Sequence, residues 1–530
     1  MAEEFSLDDP TQLLEAASDF ALYPGPQTEA SAKDFLDRFP LPVLINALQT
    51  KGDVPGLENA LVACLERIFK TKYGASLIPH YMPFVQVGLK ADSQLVRSLA
   101  CKTVSCFFEH SDEIIPSPAR IIIDNNLYPL LLDCLLYGNE QVATASMDAI
   151  KKLAGLPGGM DIIFPSNNNE ATHLGNLGGQ SSSLGRVRVL ALIVKLFSVS
   201  DSVASVIYNS NLLSLFEVEI NDTNDALVTL SVLELLYELA DIQHGTEFLS
   251  KTALLHSLSS IISNASTESI LRSRAMMISG RLLSKENIYM FVDESSVKTV
   301  ISTIDKILEP SESQDTDETE SALEALGHIG SLIQGAALIL SSSPPAARHV
   351  IDAAFDRQGH GKQLSALHAL GNIVGESRPD NAVILNGDAE ESLRRLIYET
   401  ASKSSKLTPS GLLLSVLQQD SEIRLAGYRV ITGMVARPWF LMEVCSKQEI
   451  INIVIDANTG ATQMGLVSDM EARYKCCQSI HKALMSSSKL INDPALAGIV
   501  AKLQEAVRSG PYLNRKHREA QPLVRTADRF

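Results

Sequence analysis

Val142-Ala-Thr-Ala-Ser-Met-Asp-Ala-Ile-Lys-Lys-Leu153 is followed at regular distance by Gly185-Arg-Val-Arg-Val-Leu-Ala-Leu-Ile-Val-Lys-Leu196, then by Val228-Thr-Leu-Ser-Val-Leu-Glu-Leu-Leu-Tyr-Glu-Leu239 and Leu271-Arg-Ser-Arg-Ala-Met-Met-Ile-Ser-Gly-Arg-Leu282. The closing residues Leu153, Leu196, Leu239 and Leu282 stand 43 residues apart. Three residues before them come Ile150, Ile193, Leu236 and Ser279, and seven before come Ser146, Val189, Val232 and Ala275. Offsets 0, −3, −7 and −11 share one face of a helix, so each stretch reads as a helix with a buried stripe of large and small residues. An earlier copy is Val96–Phe107, and later, less regular copies are Ser321–Leu332, Gln363–Ile373, Ile423–Met434 and Arg473–Leu484.

Between these helices lie a breaker and a second apolar run: His244-Gly245 before Phe248, Leu249, Leu254, Leu255 and Leu258, and Tyr208 before Leu212, Leu213 and Leu215. Helix, turn and helix in about 43 residues is the armadillo or HEAT unit length. No strand alternation of useful length interrupts the pattern. One unit cannot bury its apolar face alone, whereas stacked units share a core. The expected fold is therefore all-α, an armadillo/HEAT-like right-handed α-solenoid of about nine or ten repeats over residues 30–510. A partly flexible segment, 1–29, precedes it, and a basic tail, 511–530, follows. Loops are expected near 165–185 (Asn- and Gly-rich, a loop or a frayed helix), near 309–320 (six carboxylates) and near 402–411.

The 530 residues carry 62 acidic and 45 basic side chains, a net charge of −17, and such a field repels a phosphate backbone; no nucleic-acid partner is expected. No apolar run reaches the eighteen or so residues of a spanning helix, and the acidic N-terminus lacks a secretory pattern. The expectation is a cytoplasmic protein, with the nucleus as a second compartment and no membrane partner. Seven cysteines are scattered without a disulfide framework or zinc spacing, so buried thiols are expected and no metal.

Chemistry is hard to place on this chain. Gly175, Gly178 and Gly179 lack the preceding strand and the Gly-Lys-Ser/Thr ending of a phosphate loop. No nucleophile elbow, His-Glu-x-x-His or Cys-x-x-Cys occurs, and His328, His368 and His481 fall inside helical units as face or core residues. No catalytic residue, cofactor or enzymatic activity is expected. Arg515-Lys516-His517-Arg518 reads as a solvated tail, and Trp439, after Pro438, as a buried anchor at the end of a unit. Surface remains. In an armadillo-type stack the last helix of each unit lines the concave groove. Offsets −5 and −1 from each anchor flank the buried stripe and give a candidate partner-binding row: Lys102, Asp148, Lys152, Lys195, Glu234, Glu238, Arg281, His368, Asn372 and Arg429. Mixed polar and charged, it suits a folded protein domain better than an apolar peptide.

Several stretches carry a family likeness. They are Asp225-Ala-Leu-Val-Thr through Leu239-Ala240 with His244-Gly245-Thr-Glu-Phe-Leu249; Gly327-His-Ile-Gly330-Ser331 with Gly335; and Ile423-Arg-Leu-Ala-Gly-Tyr-Arg-Val430, Arg437-Pro438-Trp439, Tyr474 and Ser509-Gly510-Pro511-Tyr512. Over roughly residues 90–512 the chain resembles the proteasome non-ATPase regulatory subunit 5 family, HEAT/armadillo-like chaperones of proteasome base assembly. It departs from the family at 165–185, where a regular helix is replaced, and in the tail after Tyr512, which has no evident counterpart. The resemblance implies a binding protein that grips the C-terminal domain of one ATPase subunit of the regulatory particle base, with further base subunits as additional partners. It implies departure before the mature particle forms, and a monomer between clients. Armadillo-type adaptors are the alternative: a nuclear-import adaptor, which uses a Trp and Asn ladder and a basic N-terminal segment, or a ubiquitin-ligase scaffold, which needs a zinc-binding or U-box segment.

Overall fold

The repeat is written in caps as well as in apolar anchors. Ser93, Asn139, Ser182 and Asp225 each precede a long helix and accept a hydrogen bond from its first turn: from Val96 N at 3.4 Å, Val142 N at 3.0 Å, Gly185 N at 3.3 Å, and Leu227 N and Val228 N at 3.1 and 3.2 Å. The helices they open are Gln94–Glu109, Glu140–Ala154, Ser183–Phe197 and Ala226–Asp241. Each such cap is worth about 1 kcal/mol. These observations come from a computed structural model that describes residues 10–50, 54–110, 118–165, 173–221, 225–310, 315–457, 466–487 and 493–512. Among the described residues there is no strand, and no helix is long and apolar enough to cross a membrane.

The fold is an α-solenoid whose contacts divide it into two units, Met1–Thr252 and Ala253–Phe530. In the first, Leu57–Phe69 and the four capped helices form a row in which each packs on the next. Behind the row lies a second layer: Met82–Leu89, Leu127–Tyr137, His173–Gln180 and Ser214–Asn221 pack on the row helix that follows each of them. Leu153, Leu196 and Leu239 are fully buried, each burial contributing roughly 1.5–3 kcal/mol. Ser146, a polar member of the stripe, donates to the Leu131 carbonyl at 2.5 Å.

The second unit repeats the plan. Its row is Ser269–Leu283, Thr316–Ile329, His360–Ile373, Ser421–Met434 and Leu466–Ser486. Leu254–Ser263, Glu294–Ile307, Ala347–Phe355, Pro409–Leu417 and Gln448–Ile455 form its second layer. Three repeats carry an additional helix, Ile333–Ser341, Gly387–Lys403 and Pro438–Ser446, and Gly387–Lys403 packs on Ile333–Ser341 and Ala347–Phe355. Small residues set the row spacing: a Cβ on Gly280 would lie 2.8 Å from Ala325 Cα, and one on Gly327 only 2.6 Å from Ala369 Cα. These row helices touch backbone to backbone.

Two expectations need correction. The copy expected at Ser321–Leu332 is instead Thr316–Ile329, because Asp315 caps it through Asp317 N at 2.9 Å and Glu318 N at 3.3 Å, while Gly330 closes it. Leu332 is the N-cap of the next helix, and Ile329 is the anchor. The offset −11 position then falls on Glu318, buried and clamped by Arg272, whose Nη2 reaches Glu318 Oε2 at 3.1 Å. The glycine-rich interval 165–185 also holds a helix, His173–Gln180; residues 166–172 lie outside the described residues. Gly175 and Gly178 face Leu212 and Leu215, where a Cβ would sit 3.7 and 3.2 Å away, so they permit close packing instead of breaking the helix. Elsewhere, residues 1–9, 311–314 and 513–530, which fall in the expected N-terminal segment, acidic loop and basic tail, are outside the described residues.

Candidate partner-binding surface

Three consecutive row helices of the first unit line one open groove of about 610 Å³, with Lys102 on the second of them and Asp148 and Lys152 on the third. Lys102 Nζ reaches back to Glu66 Oε1 at 2.5 Å, and Lys152 makes the equivalent bridge to Glu109 one helix further on. Lysines thus lace each helix to its predecessor. Such exposed pairs stabilise by only about 0.2–1 kcal/mol, so little is lost when a partner's charges displace them. Lys195, Glu234 and Glu238 stand on the next two row helices, exposed but outside this groove.

In the second unit Arg281 is half-buried on the first row helix. His368, Asn372 and Arg429, read from sequence as separate points on a row, form one cluster. Arg429 Nη1 meets His368 Nδ1 at 2.7 Å, and Nη2 meets Asn372 Oδ1 at 3.2 Å. Two residues missed in the sequence complete the cluster. Glu376 Oε2 accepts from Arg429 Nε and Nη2 at 3.3 and 3.2 Å, and its other oxygen takes Lys475 from two row helices away. Burial pushes the Glu376 carboxyl up, but Lys475 and Arg429 outweigh it and hold it below the usual range. Burial, then the Arg429 charge, lower His368, against Glu324. Glu376 lies past the end of the His360–Ile373 helix, in the turn after the left-handed Gly375, so no helical spacing announces it.

Other titratable groups are explained by packing. Asp305, Glu309 and His349 converge, but Arg348 takes both Asp305 oxygens at 2.8 and 3.1 Å and Glu309 Oε1 at 2.5 Å. His360, Asp420 and Glu422 are exposed, and Asp420 caps the Ser421–Met434 helix. Trp439 is half-buried, its ring 5.7 Å from Tyr398 and edge-on to Phe440 at 5.5 Å. All seven cysteines are buried thiols.

The proteasome non-ATPase 26S subunit family matches residues 57–528. The chain belongs to this family. Relatives named 26S proteasome non-ATPase regulatory subunit 5 resemble it along most of its length. The Bos taurus protein is 20% identical over 459 residues, covering 85% of this chain and 84% of its own. The Homo sapiens protein is 20% identical over 467 residues with the same coverage. Among solved structures, a crystal structure of an engineered protein is 15% identical with a TM-score of 0.42, over 81% of this chain and 99% of that one; the fold assignment rests on the helix packing above. The family match runs beyond Tyr512 to residue 528, so most of the tail after Tyr512 lies within it.

Proposed function

We propose that this chain is a non-catalytic chaperone for assembly of the base of the proteasome's regulatory particle, acting in the cytoplasm and in the nucleus as a second compartment. In this reading it holds the C-terminal domain of one ATPase subunit against the concave row of its solenoid, and leaves before the mature particle forms. The observation that carries the proposal is the match to a proteasome subunit family over residues 57–528. The chemistry of the row supports it: Lys102, Lys152, Glu66, Glu109 and Asp148 offer exchangeable charge pairs, and such pairs favour selectivity and fast capture over very tight binding. A chaperone that must depart needs that balance. The single Trp gives no ladder of the import-adaptor kind, and no catalytic role is proposed for any residue.

The test is an affinity pull-down of the tagged full-length protein from cell extract with mass spectrometry of the eluate. A subset of proteasomal ATPases with core-particle subunits depleted is the expected result. Intact proteasome would replace the chaperone reading with that of a stable subunit, and an absence of proteasomal proteins would overturn both. Lys102→Glu with Lys152→Glu should weaken capture of the ATPase without lowering helicity, as should Glu234→Lys with Glu238→Lys. Unchanged capture would remove those residues from the contact.

A further inference from the structure

The second unit has a groove of its own, about 610 Å³, where the C-terminal half of the Leu466–Ser486 row helix faces the turn after His360–Ile373 and the start of Pro438–Ser446. Lys475, Ser479, Lys482 and Ser486 line it from the row helix at offsets 0, 4, 7 and 11, so they form one stripe. Val383, Val435 and Leu441 give the groove an apolar floor, and Ile384, 45% exposed, stands in it as an uncovered apolar side chain.

Its sign differs from that of the first groove. There, Lys70, Lys102 and Lys152 meet four carboxylates, those of Glu66, Glu109, Glu140 and Asp148. Here, Arg378, Lys475 and Lys482 meet two, Glu376 and Asp380, in a chain whose net charge is −17. Arg429 stands behind Glu376 and adds a fourth cation. Arg378 directs its donors to backbone carbonyls, Gly330 at 2.8 Å, Ser331 at 3.0 Å and Asn372 at 3.1 Å among them, and to no carboxylate among the described residues. The two lysines are the cations easiest to redirect. Their side chains are 58% and 67% exposed, and bridges so exposed hold weakly. When Lys475 leaves Glu376, that carboxylate keeps both hydrogen bonds from Arg429; when Lys482 leaves Asp380, an exposed carboxylate returns to water.

We propose that this groove is a docking site for an acidic amphipathic helix of a partner protein. Lys475 and Lys482 lie two turns apart, about 10.5 Å along the row helix. Carboxylates at i and i+7 of a second helix laid alongside repeat that distance on one face, whereas an extended chain presents same-face side chains only about 6.6 or 13 Å apart. Apolar residues at i+3 and i+4 of the docked helix then meet Ile384 and the floor, the helix-in-groove mode of recognition. The positive excess draws such a segment in and discriminates against basic ones. The proposal goes beyond the chaperone reading and does not rest on it: it names the chemistry of a segment, and its test uses no proteasomal subunit.

The experiment is isothermal titration calorimetry of the full-length protein at neutral pH and low salt. The probe is a capped, alanine-based helical peptide of fifteen residues with Glu at positions four and eleven and Leu at seven and eight. The same peptide with Gln at four and eleven should bind about tenfold more weakly, and one with Lys there more weakly still. Raising salt from about 50 to about 500 mM should remove most of the difference. Lys475→Glu with Lys482→Glu should invert the order, so that the Lys peptide binds best, while Lys298→Glu, an exposed reversal elsewhere in the unit, should leave it unchanged. Failure of the Glu peptide to bind overturns the proposal, as do equal affinities for the Glu and Gln peptides or an order that survives the double reversal. A fifteen-nucleotide single strand that binds more tightly than the Glu peptide would make the groove a nucleic-acid site and overturn it as well. If the double reversal loses its helical circular dichroism, Lys475→Gln with Lys482→Gln, which should level the Glu and Gln peptides, decides the matter.

Discussion

Glu390→Gln is the substitution that best separates buried from exposed electrostatics in this protein. Arg437 has only 2% of its surface exposed, and it grips Glu390 with both arms: Nε to Oε2 at 2.7 Å and Nη2 to Oε1 at 2.9 Å. Its remaining donors reach the carbonyls of Gly433 at 3.0 Å, Val383 at 3.2 Å and Val374 at 3.3 Å. Arg378 lies nearby, brought down to about 10 by burial and by the Arg437 charge, with Glu390 opposing. One carboxylate therefore compensates two guanidinium groups. Removing one partner of a buried pair costs about 3–5 kcal/mol. Glutamine keeps the shape and one acceptor, so the lower end, about 3 kcal/mol, is expected. With a urea slope of about 2–3 kcal/mol per molar, the midpoint should fall by about 1–1.5 M. Trp439, the one tryptophan in the chain, lies two residues from Arg437 and reports on this unit by fluorescence during the titration. Lys482→Gln, which removes an exposed bridge to Asp380 in the same unit, should shift the midpoint by less than about 0.4 M. If Glu390→Gln moves it no further than that control, the clamp is not stabilising and the reasoning fails.

His349 and His368 are both held below the ordinary histidine range, chiefly by burial, so the unfolded chain binds their protons first as pH falls. Stability of the second unit should therefore be full above about pH 7 and decline below about 6.5, by at most about 1.4 kcal/mol per pH unit for each histidine. Urea midpoints of His368→Gln across pH 7 to 5 should show a shallower decline; an unchanged slope would dismiss that histidine. Gly327→Ala should destabilise by about 1–3 kcal/mol despite alanine's better helix propensity, because its Cβ would meet Ala369 backbone. Gly179→Ala, which enters open space, should be neutral or slightly stabilising by the same urea assay, and equal effects would show that the row spacing is not set by glycine. Asn139→Ala should cost about 1 kcal/mol through the lost cap to Val142 N, and Asn139→Asp should restore it.

Much of the fold was legible because the 43-residue spacing of Leu153, Leu196, Leu239 and Leu282 is long-range order that local ambiguity cannot erase. The caps Asn139, Ser182 and Asp225 repeat with the same spacing, with Ser93 46 residues ahead of Asn139, and would have fixed the helix starts, had they been read with the anchors. Register failed at Ser321–Leu332, where Leu332 imitates an anchor but follows Gly330; Asp315 and Gly330 decide the ends, not the leucine. The glycines at 175 and 178 misled in the opposite direction, since only a partner surface such as Leu212 and Leu215 shows that a glycine is there for proximity. In the candidate surface, Lys102, Asp148 and Lys152 meet because adjacent repeats share a register, which sequence conveys. Glu376 and Lys475 meet across 99 residues, and no local pattern announces such a pair.

The nearest-neighbour order of the row helices has a bearing on how the protein is made. Within each unit every row helix after the first packs on the row helix of the preceding repeat and on the second-layer helix translated just before it. At about 5–20 residues per second a ribosome needs roughly 2–9 s for one repeat, whereas helices form in microseconds. Every new repeat can thus dock on a surface already in place, and no apolar face waits long for its cover. The bridges from Lys475 to Glu376 and from Lys482 to Asp380 span 99 and 102 residues. They are among the last contacts the nascent chain can close, and Glu376 is by then already held by Arg429, so Lys475 adds a second hold to a carboxylate that is in place.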